Sequence, residues 1–442
     1  MPRLFRAGAA ATAVAAAVTG LTLLAPVAEA TASTPTAYGL SGQGYGLSVD
    51  GGALPVASGD LAKVNSGCTN LAGISAANDA AAVNLPNNLG KIGAMSTKSW
   101  TSTTADGTVN RYSQTEVAGV QLGASTVGLK IDGLKSLARV WHNSSGFHYS
   151  VSMTAAKVTL AGLPITLPKL GTPIEVPGVA KVAMGAMNRA KDANHAFARI
   201  TGLEITLLPA TGDATMLNVA GVRAEIDKGS TNGIFQGSAS ALKASLLGDT
   251  VAVGSVNSGQ PAVNMPCVGT KGEVVKKAIA DAPLDSVGLP LNASAATSEQ
   301  MGRTYTSGGL PAATGYERSW VANVNLGDGA LVIQGLQSRA NVTRSGKGFN
   351  TITTNANGTK AASITLGGTT VPGLSTLNGK TLSLPGLEGL VKIQTSVIEK
   401  IKSGKTIIGT RVTALRITLL DASDVTQSVI NIGNAELRIK QH

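Results

Sequence analysis

Thr406-Ile-Ile-Gly-Thr-Arg-Val-Thr-Ala-Leu-Arg-Ile-Thr-Leu-Leu420 is the stretch that decides the fold class. It is rich in β-branched residues, whose two Cβ substituents suit a pleated strand better than a helix. Apolar and polar residues alternate along it, but the alternation changes face near Ala414-Leu415. That predicts a long strand carrying a bulge, because one extra residue reverses the inward and outward sets. Ser403-Gly-Lys405 before it has turn composition, and Val391-Lys-Ile-Gln-Thr395 alternates again. The segment is therefore expected to be half of a β-hairpin.

The same words occur earlier in the chain. Leu415-Arg-Ile-Thr-Leu-Leu420 corresponds to Leu203-Glu-Ile-Thr-Leu-Leu208, and Ile430-Asn-Ile432 to Leu217-Asn-Val219. Further upstream, Val324-Asn-Leu-Gly327 corresponds to Val120-Gln-Leu-Gly123, Ile333-Gln-Gly-Leu336 to Ile131-Asp-Gly-Leu134, and Gly348-Phe349 to Gly146-Phe147. Ala435-Glu-Leu437 is matched to Ala224-Glu-Ile226. The order is kept at an offset of roughly 200, far beyond the 20–50 residues of solenoid repeats. The chain is thus expected to carry one β unit written twice. A leader over residues 1–30 precedes a first copy at 31–228 and a second copy at 229–442. The seam falls in the polar stretch Asp227-Lys-Gly-Ser-Thr-Asn-Gly233.

Each copy is expected to be a mainly β, mostly antiparallel sandwich or barrel, with at most a few short helices. Val140 to Tyr149 and Val342 to Phe349 read as strand, turn, strand. Pro164, Pro168, Pro173 and Pro177 place edge strands and irregular connections between them. Val179 to Ala190 has helical composition on its own. Its counterpart near Leu390 to Ile401 has strand composition, so strand is expected in both. Short helices are expected near Ile74–Ala82 and Glu273–Ala280, at equivalent places just after the two cysteines.

Composition narrows the class. Hydrophobic residues make up 43% and charged residues only 14%, which excludes a disordered chain and a coiled coil. Two Cys and four His exclude a disulfide-dense scaffold and a zinc-finger array. Residues 1–30 have the three parts of a secretory signal peptide. Arg3 and Arg6 form the basic region, Ala7 to Leu24 the apolar run, and Ala28-Glu-Ala30 the small-residue cleavage site. No later stretch reaches 18 apolar residues, so no transmembrane segment is expected after cleavage. The C-terminus, Leu437-Arg-Ile-Lys-Gln-His442, has no apolar tail. Leu208-Pro-Ala-Thr-Gly212 fits the sortase pattern but is expected to be an inter-strand turn.

Export into an oxidising compartment would favour a disulfide between the only cysteines, Cys68 and Cys267. Their spacing matches the repeat offset, so bonding would join equivalent points of the two copies. Losing Arg3, Arg6 and Glu29 from 36 basic and 25 acidic residues leaves a net charge of about +10. The expected partners are anionic envelope polymers or another surface protein. Nucleic acid is not expected. The basic residues are dispersed, Lys271, Lys276 and Lys277 being the longest cluster, and few aromatics sit among them.

Chemistry is sparse. His142 and His148 flank a turn and can face each other across strands, yet no Cys or acidic pair completes a metal set. His195 has Asp192 nearby, but there is no nucleophile elbow. Ser403-Gly-Lys-Thr406 lacks a phosphate-loop glycine, Glu399 standing in its place. Trp100, Trp141 and Trp320 are expected in the core, sugar stacking being their other use. No cofactor, metal or catalytic residue is expected.

The pattern resembles the choice-of-anchor P family, which are exported actinobacterial surface proteins with repeated β segments. The resemblance lies in Thr36-Ala-Tyr-Gly39 near the mature start and in Leu384-Pro-Gly386 leading to Thr406–Leu420. A closing strand at Ile430–Ile439 completes it. It implies a secreted or envelope-associated β protein and carries over no catalytic residues. The C-terminal anchoring signal of such proteins is not found here. The expected function is an exported, non-catalytic protein with a structural or binding role at the envelope. The alternatives are a carrier enclosing a hydrophobic ligand in a barrel and, more remotely, a secreted hydrolase.

Overall fold

The computed structural model describes residues 33–441 except 51–59, 86–88, 124–127, 167–171, 209–214, 231, 247–260, 284–290, 327–328, 372–378, 380, 383–390 and 421–425. The expected leader, the Pro-Ala-Thr-Gly stretch at 209–212 and Leu384–Gly386 lie outside the described residues. Thr406–Leu420 is a strand, paired with Val391–Ser403 before it and Thr426–Lys440 after it. Nearly everything else described is also strand. Among the described residues, the one helical element is a single 3-10 turn at Lys347–Phe349.

In the first half, the long strands are β1 (Thr34–Asp50), β2 (Ser75–Ala80), β3 (Met95–Thr103), β4 (Val109–Leu122), β5 (Leu129–Asn143) and β6 (Gly146–Thr154). They continue with β7 (Ala180–Met184), β8 (Met187–Lys191), β9 (His195–Leu207) and β10 (Thr215–Lys228). In the second half they are β11 (Ile234–Leu246), β12 (Val275–Pro283), β13 (Leu291–Ser307), β14 (Leu310–Leu326), β15 (Leu331–Ser345) and β16 (Thr351–Asn355). The last three are β17 (Val391–Ser403), β18 (Thr406–Leu420) and β19 (Thr426–Lys440). One sheet of the first half runs β7-β9-β10-β1, and its counterpart runs β17-β18-β19-β11. The other sheet contains β2-β3-β4-β5, and its counterpart β12-β13-β14-β15. The same strand order occurs twice, and every long pairing is antiparallel. Residues Ser33–His442 form one compact unit.

Two expectations are corrected. The stretches read as short helices are strands: β2 pairs with β3 along its whole length, and β12 with β13. Both are short Ala-containing segments whose helix preference is weak, and a ladder to a neighbouring strand outweighs it. Val179 to Ala190, by contrast, is extended as β7 and β8, in keeping with its counterpart in β17.

The change of face expected near Ala414-Leu415 is present, but not through one inserted residue. Register is kept across it, and it forms a bulge row that runs level through neighbouring strands, while the ladder's own register shifts lie at Ile401/Lys402 and Leu419/Leu420. Ladder pairing passes over Ala414 together with Ser396 on one side and Gly433 on the other. The same skip pairs Gly433 with Ala241, and Ala220 with both Gly46 and Gly202. In the opposing sheets it falls at Ala118 and Gly133, and at Ala280, Ala295, Ala322 and Gly335. A row of Gly, Ala and one Ser thus crosses both halves. Ala220, Ala295, Ser396, Gly133, Gly335 and Gly433 in this row have positive φ, between 39° and 66°. A side chain added at Gly433 would place Cβ 3.0 Å from the Ala414 Cβ. Larger residues would meet both the backbone strain and the neighbouring strand.

The row explains how long strands keep one face inward. In β10, Leu217 and Val219 are buried before it, and Val222, Ala224 and Ile226 after it. The first set joins the core with Val117, Val120, Leu129 and Ile131 of the facing sheet. The second joins Val109, Ala138 and Val140. Apolar residues from both sheets share each cluster, so each half is a sandwich rather than a closed barrel. Counted from Ala220 and Gly433, Ala224 is level with Leu437 and Glu225 with Arg438. The match of Ala224–Ile226 to Ala435–Leu437 is therefore displaced by two residues.

Each sandwich also buries an ionisable side chain opposite a glycine of its first strand. Arg111 is fully buried; Nη2 donates to Ser99 Oγ (2.8 Å), while Nε and Nη1 have no partner. Burial lowers its pKa to about 10. A Cβ at Gly42 would lie 2.5 Å from that guanidinium. In the second half Gly237 makes room for Glu317, whose two carboxylate oxygens are buried without partners.

Candidate functional site

The first and last long strands of each half bring polar residues to the junction between the halves. From β1 and β10 come Ser41, Gln43, Arg223 and Glu225. From β11 and β19 come Gln236, Ser238, Glu436 and Arg438. They surround a cleft of about 330 Å³ whose wall includes Cys68 and Cys267. Those cysteines form a disulfide with Cα atoms 5.2 Å apart, and Ile234 packs on it. The pairing read from compartment and spacing is thus present. Gly39 lies so close that a Cβ there would be 2.5 Å from the Cys267 Cβ, so the first copy's backbone rests on the second copy's cysteine.

The alternation of β10 places Arg223, Glu225 and Asp227 on the face away from the core. Arg223 Nη2 donates to Glu225 Oε2 at 2.6 Å, and Ser41 Oγ donates to the same oxygen at 3.3 Å. His195 opens β9 directly opposite Asp227 and two pairs away from Glu225, which faces Phe197. Its Nε2 lies 3.3 Å from Glu225 Oε1 and 3.9 Å from Asp227 Oδ1. The Phe197 ring lies nearly parallel to the imidazole at 6.5 Å, with the Arg223 guanidinium 5.1 Å from the Phe197 centroid. Burial alone would raise the Glu225 carboxyl, but the contacts with His195 and Arg223 together hold it at about 2. Asp227 moves the other way, up to about 7, through burial and then repulsion from Glu225. The hydrogen bond to Glu225 raises the His195 pKa against its burial.

On the other side of the cleft, the second half carries a set of ion pairs. Arg438 bonds to Glu436, Arg411 lies 2.6 Å from Glu436 and 3.1 Å from Glu399, and Arg416 is 3.1 Å from Glu399. Two polar atoms in the cleft, Arg223 Nε and Gln236 Oε1, are buried without a partner.

The other residues singled out from the sequence lie elsewhere. His142 and His148 do not face each other. The ladder pairs His142 with Phe147 and Trp141 with His148, so the two imidazoles fall on opposite faces. His142 Nδ1 bonds to the Tyr38 hydroxyl (2.8 Å), and His148 Nε2 to Asn143 and Ser145. Asp192 caps the turn before His195 by accepting from the Asn194 N–H, while Glu225 and Asp227 make the close contacts. Lys271, Lys276 and Lys277 are exposed.

The tryptophans are half-buried on outer faces rather than in the core. Trp100 stacks on Tyr112 at 4.7 Å, Arg139 lies over both Tyr112 and Trp141, and Trp141 stacks on His148 at 5.1 Å. Lys98 covers the outer end at 5.6 Å. The rings stack on one another and on cations, so this ladder stabilises the β3-β4-β5-β6 sheet.

The grouping of His195 with Glu225 and Asp227 was missed from the sequence because the three residues come from two strands. The available signal was Arg223-x-Glu225-x-Asp227, charged at every second position of a strand. No family model, curated protein or solved structure matches this chain.

Proposed function

We propose that this chain is an exported protein of the cell envelope or its surroundings, with a structural and binding role centred on the junction cleft. The observation that carries the reading is the buried Cys68–Cys267 disulfide between the copies. Such bonds persist in oxidising compartments and are rare where thiols are kept reduced. The leader-like residues 1–30 and the resemblance to choice-of-anchor P proteins point the same way. A cleft of about 330 Å³ falls in the range of small-ligand sites, and its Arg, Glu and Gln lining suits a polar or charged partner. Anionic envelope polymers or another surface protein meet that description.

A carrier of hydrophobic ligands has less support, because the described interiors are occupied by their own aliphatic side chains. A hydrolase has less support too. The His195 ring meets two carboxylates, and among the described residues no hydroxyl or thiol is bonded to it.

Fractionation of the producing cell tests the reading. The oxidised chain is expected in the envelope or medium, and to bind isolated envelope in a salt-sensitive way. Recovery in the cytoplasm with both thiols free would overturn it.

A further inference from the structure

We propose that His195, Glu225 and Asp227 form a binding site for one divalent transition-metal cation of the zinc or manganese class. The donor atoms His195 Nε2, Glu225 Oε1 and a carboxylate oxygen of Asp227 lie within 4.8 Å of one another. Ligands at roughly 2.0–2.2 Å from zinc must stand about 3.3–3.6 Å apart at tetrahedral angles. The His195–Glu225 separation of 3.3 Å already meets this, and Asp227 at 3.9 Å needs only a small rotation. Imidazole with two carboxylates suits zinc and manganese, and is too nitrogen- and oxygen-rich for a thiophilic ion.

A second observation is independent of that spacing. The Asp227 side chain is only 9% exposed, yet its Oδ2 has no hydrogen-bond partner. A buried carboxylate oxygen left bare is costly, and a cation is what would satisfy it beside a second carboxylate. The surroundings are also arranged as an outer shell. Arg223 and Ser41 hold the far oxygen of Glu225, which leaves Oε1 directed at His195. Phe197 flanks the imidazole, its ring nearly parallel at 6.5 Å.

Comparison of the copies shows that the scaffold itself does not demand these residues. Counted from the bulge row, His195, Glu225 and Asp227 are level with Ile407, Arg438 and Lys440 of the second copy. The same backbone there carries an apolar and two cationic side chains, which would repel a metal. Three protein ligands leave coordination positions open to solvent or to a donor from a partner.

Isothermal titration of the purified, oxidised chain with zinc chloride and with manganese chloride provides the test. One ion per chain is expected, with affinity lowered at least tenfold in His195→Ala and in Asp227→Asn. Melting temperature should rise with metal in the parent and not in Asp227→Asn, whose shape and size are conserved and whose fold is checked by circular dichroism. Failure of both ions to bind at millimolar concentration would overturn the proposal. Binding that survives both substitutions unchanged would do the same.

Discussion

Breaking the Cys68–Cys267 bond should destabilise the whole molecule, because the bond closes a very long loop. The cysteines are 199 residues apart. On the chain-entropy relation a loop of this size costs the cross-linked unfolded chain about 18 cal/mol/K less entropy on folding, roughly 5 kcal/mol at 25 °C. That corresponds to a change of several thousandfold in the folding constant. Both cysteines are buried, at 6% and 1% exposure, so Ser replacements would add a polar penalty of their own. The clean comparison is therefore the parent protein with and without reductant, beside Cys68→Ser/Cys267→Ser. Urea unfolding followed by circular dichroism should show a lower midpoint on reduction, with a steeper denaturant dependence as the released chain expands. If thiol titration shows two free thiols and the unfolding free energy moves by less than about 1 kcal/mol, the staple argument is wrong.

Three further outcomes are expected. Burial, reinforced by Glu436, holds the Glu317 carboxyl well above its ordinary range, so the native state keeps a proton that the unfolded chain releases. Stability should therefore fall as pH rises from about 4.3 through the raised native value, and Glu317→Gln should remove that slope in denaturation at pH 5 and pH 8; a parent that gains on the variant as pH rises contradicts this. Gly433→Ala places a methyl 3.0 Å from the Ala414 Cβ at φ 66° and should cost about 1–2 kcal/mol by calorimetry, so an unchanged melting temperature would remove the steric reading of the bulge row. Arg139→Ala removes the cation between Tyr112 and Trp141 and the bonds to Asn110 Oδ1 at 2.7 and 3.1 Å. It should cost about 1–2 kcal/mol, with Lys failing to rescue because it lacks the planar stacking surface; full rescue by Lys would contradict the stack.

Much of the fold can be read from local pattern because strand alternation is a local property. Thr406–Leu420 shows its strand and its change of face within fifteen residues, since apolar and polar alternation is read along one chain, whereas the neighbouring strands turn with it and no residue is inserted. The repeat then carries that reading to Val179–Ala190, whose own composition favours helix. Ile74–Ala82 and Glu273–Ala280 lack such help. Their extended state is imposed by β3 and β13, strands whose pairing with them is not written in their own residues. The bulge row is legible at Ala414 alone. That it runs through Gly433, Ala220 and Ala295 depends on register, which only the assembled sheets supply.

The candidate site divides in the same way. Two cysteines in a chain with a leader-like start raise the expectation of a Cys68–Cys267 bond, and the fold brings them together. The charged alternation Arg223-x-Glu225-x-Asp227 belongs to the sequence, as one face of one strand. The meeting of that face with His195, thirty residues away from Glu225 along the chain, is a product of strand pairing. So are the separation of His142 from His148 by one step of register and the removal of the tryptophans from the core. The sequence by itself determined a mainly β chain, because periodicity is one-dimensional, and its repeated words and two cysteines raised the expectation of two matching halves joined by a cross-link. Only the tertiary structure decided which polar groups share a cleft, which stay bare in the interior, and which copy carries a cluster that can hold a cation. Those depend on which strands lie side by side, and register between distant strands is set by packing across the whole sheet.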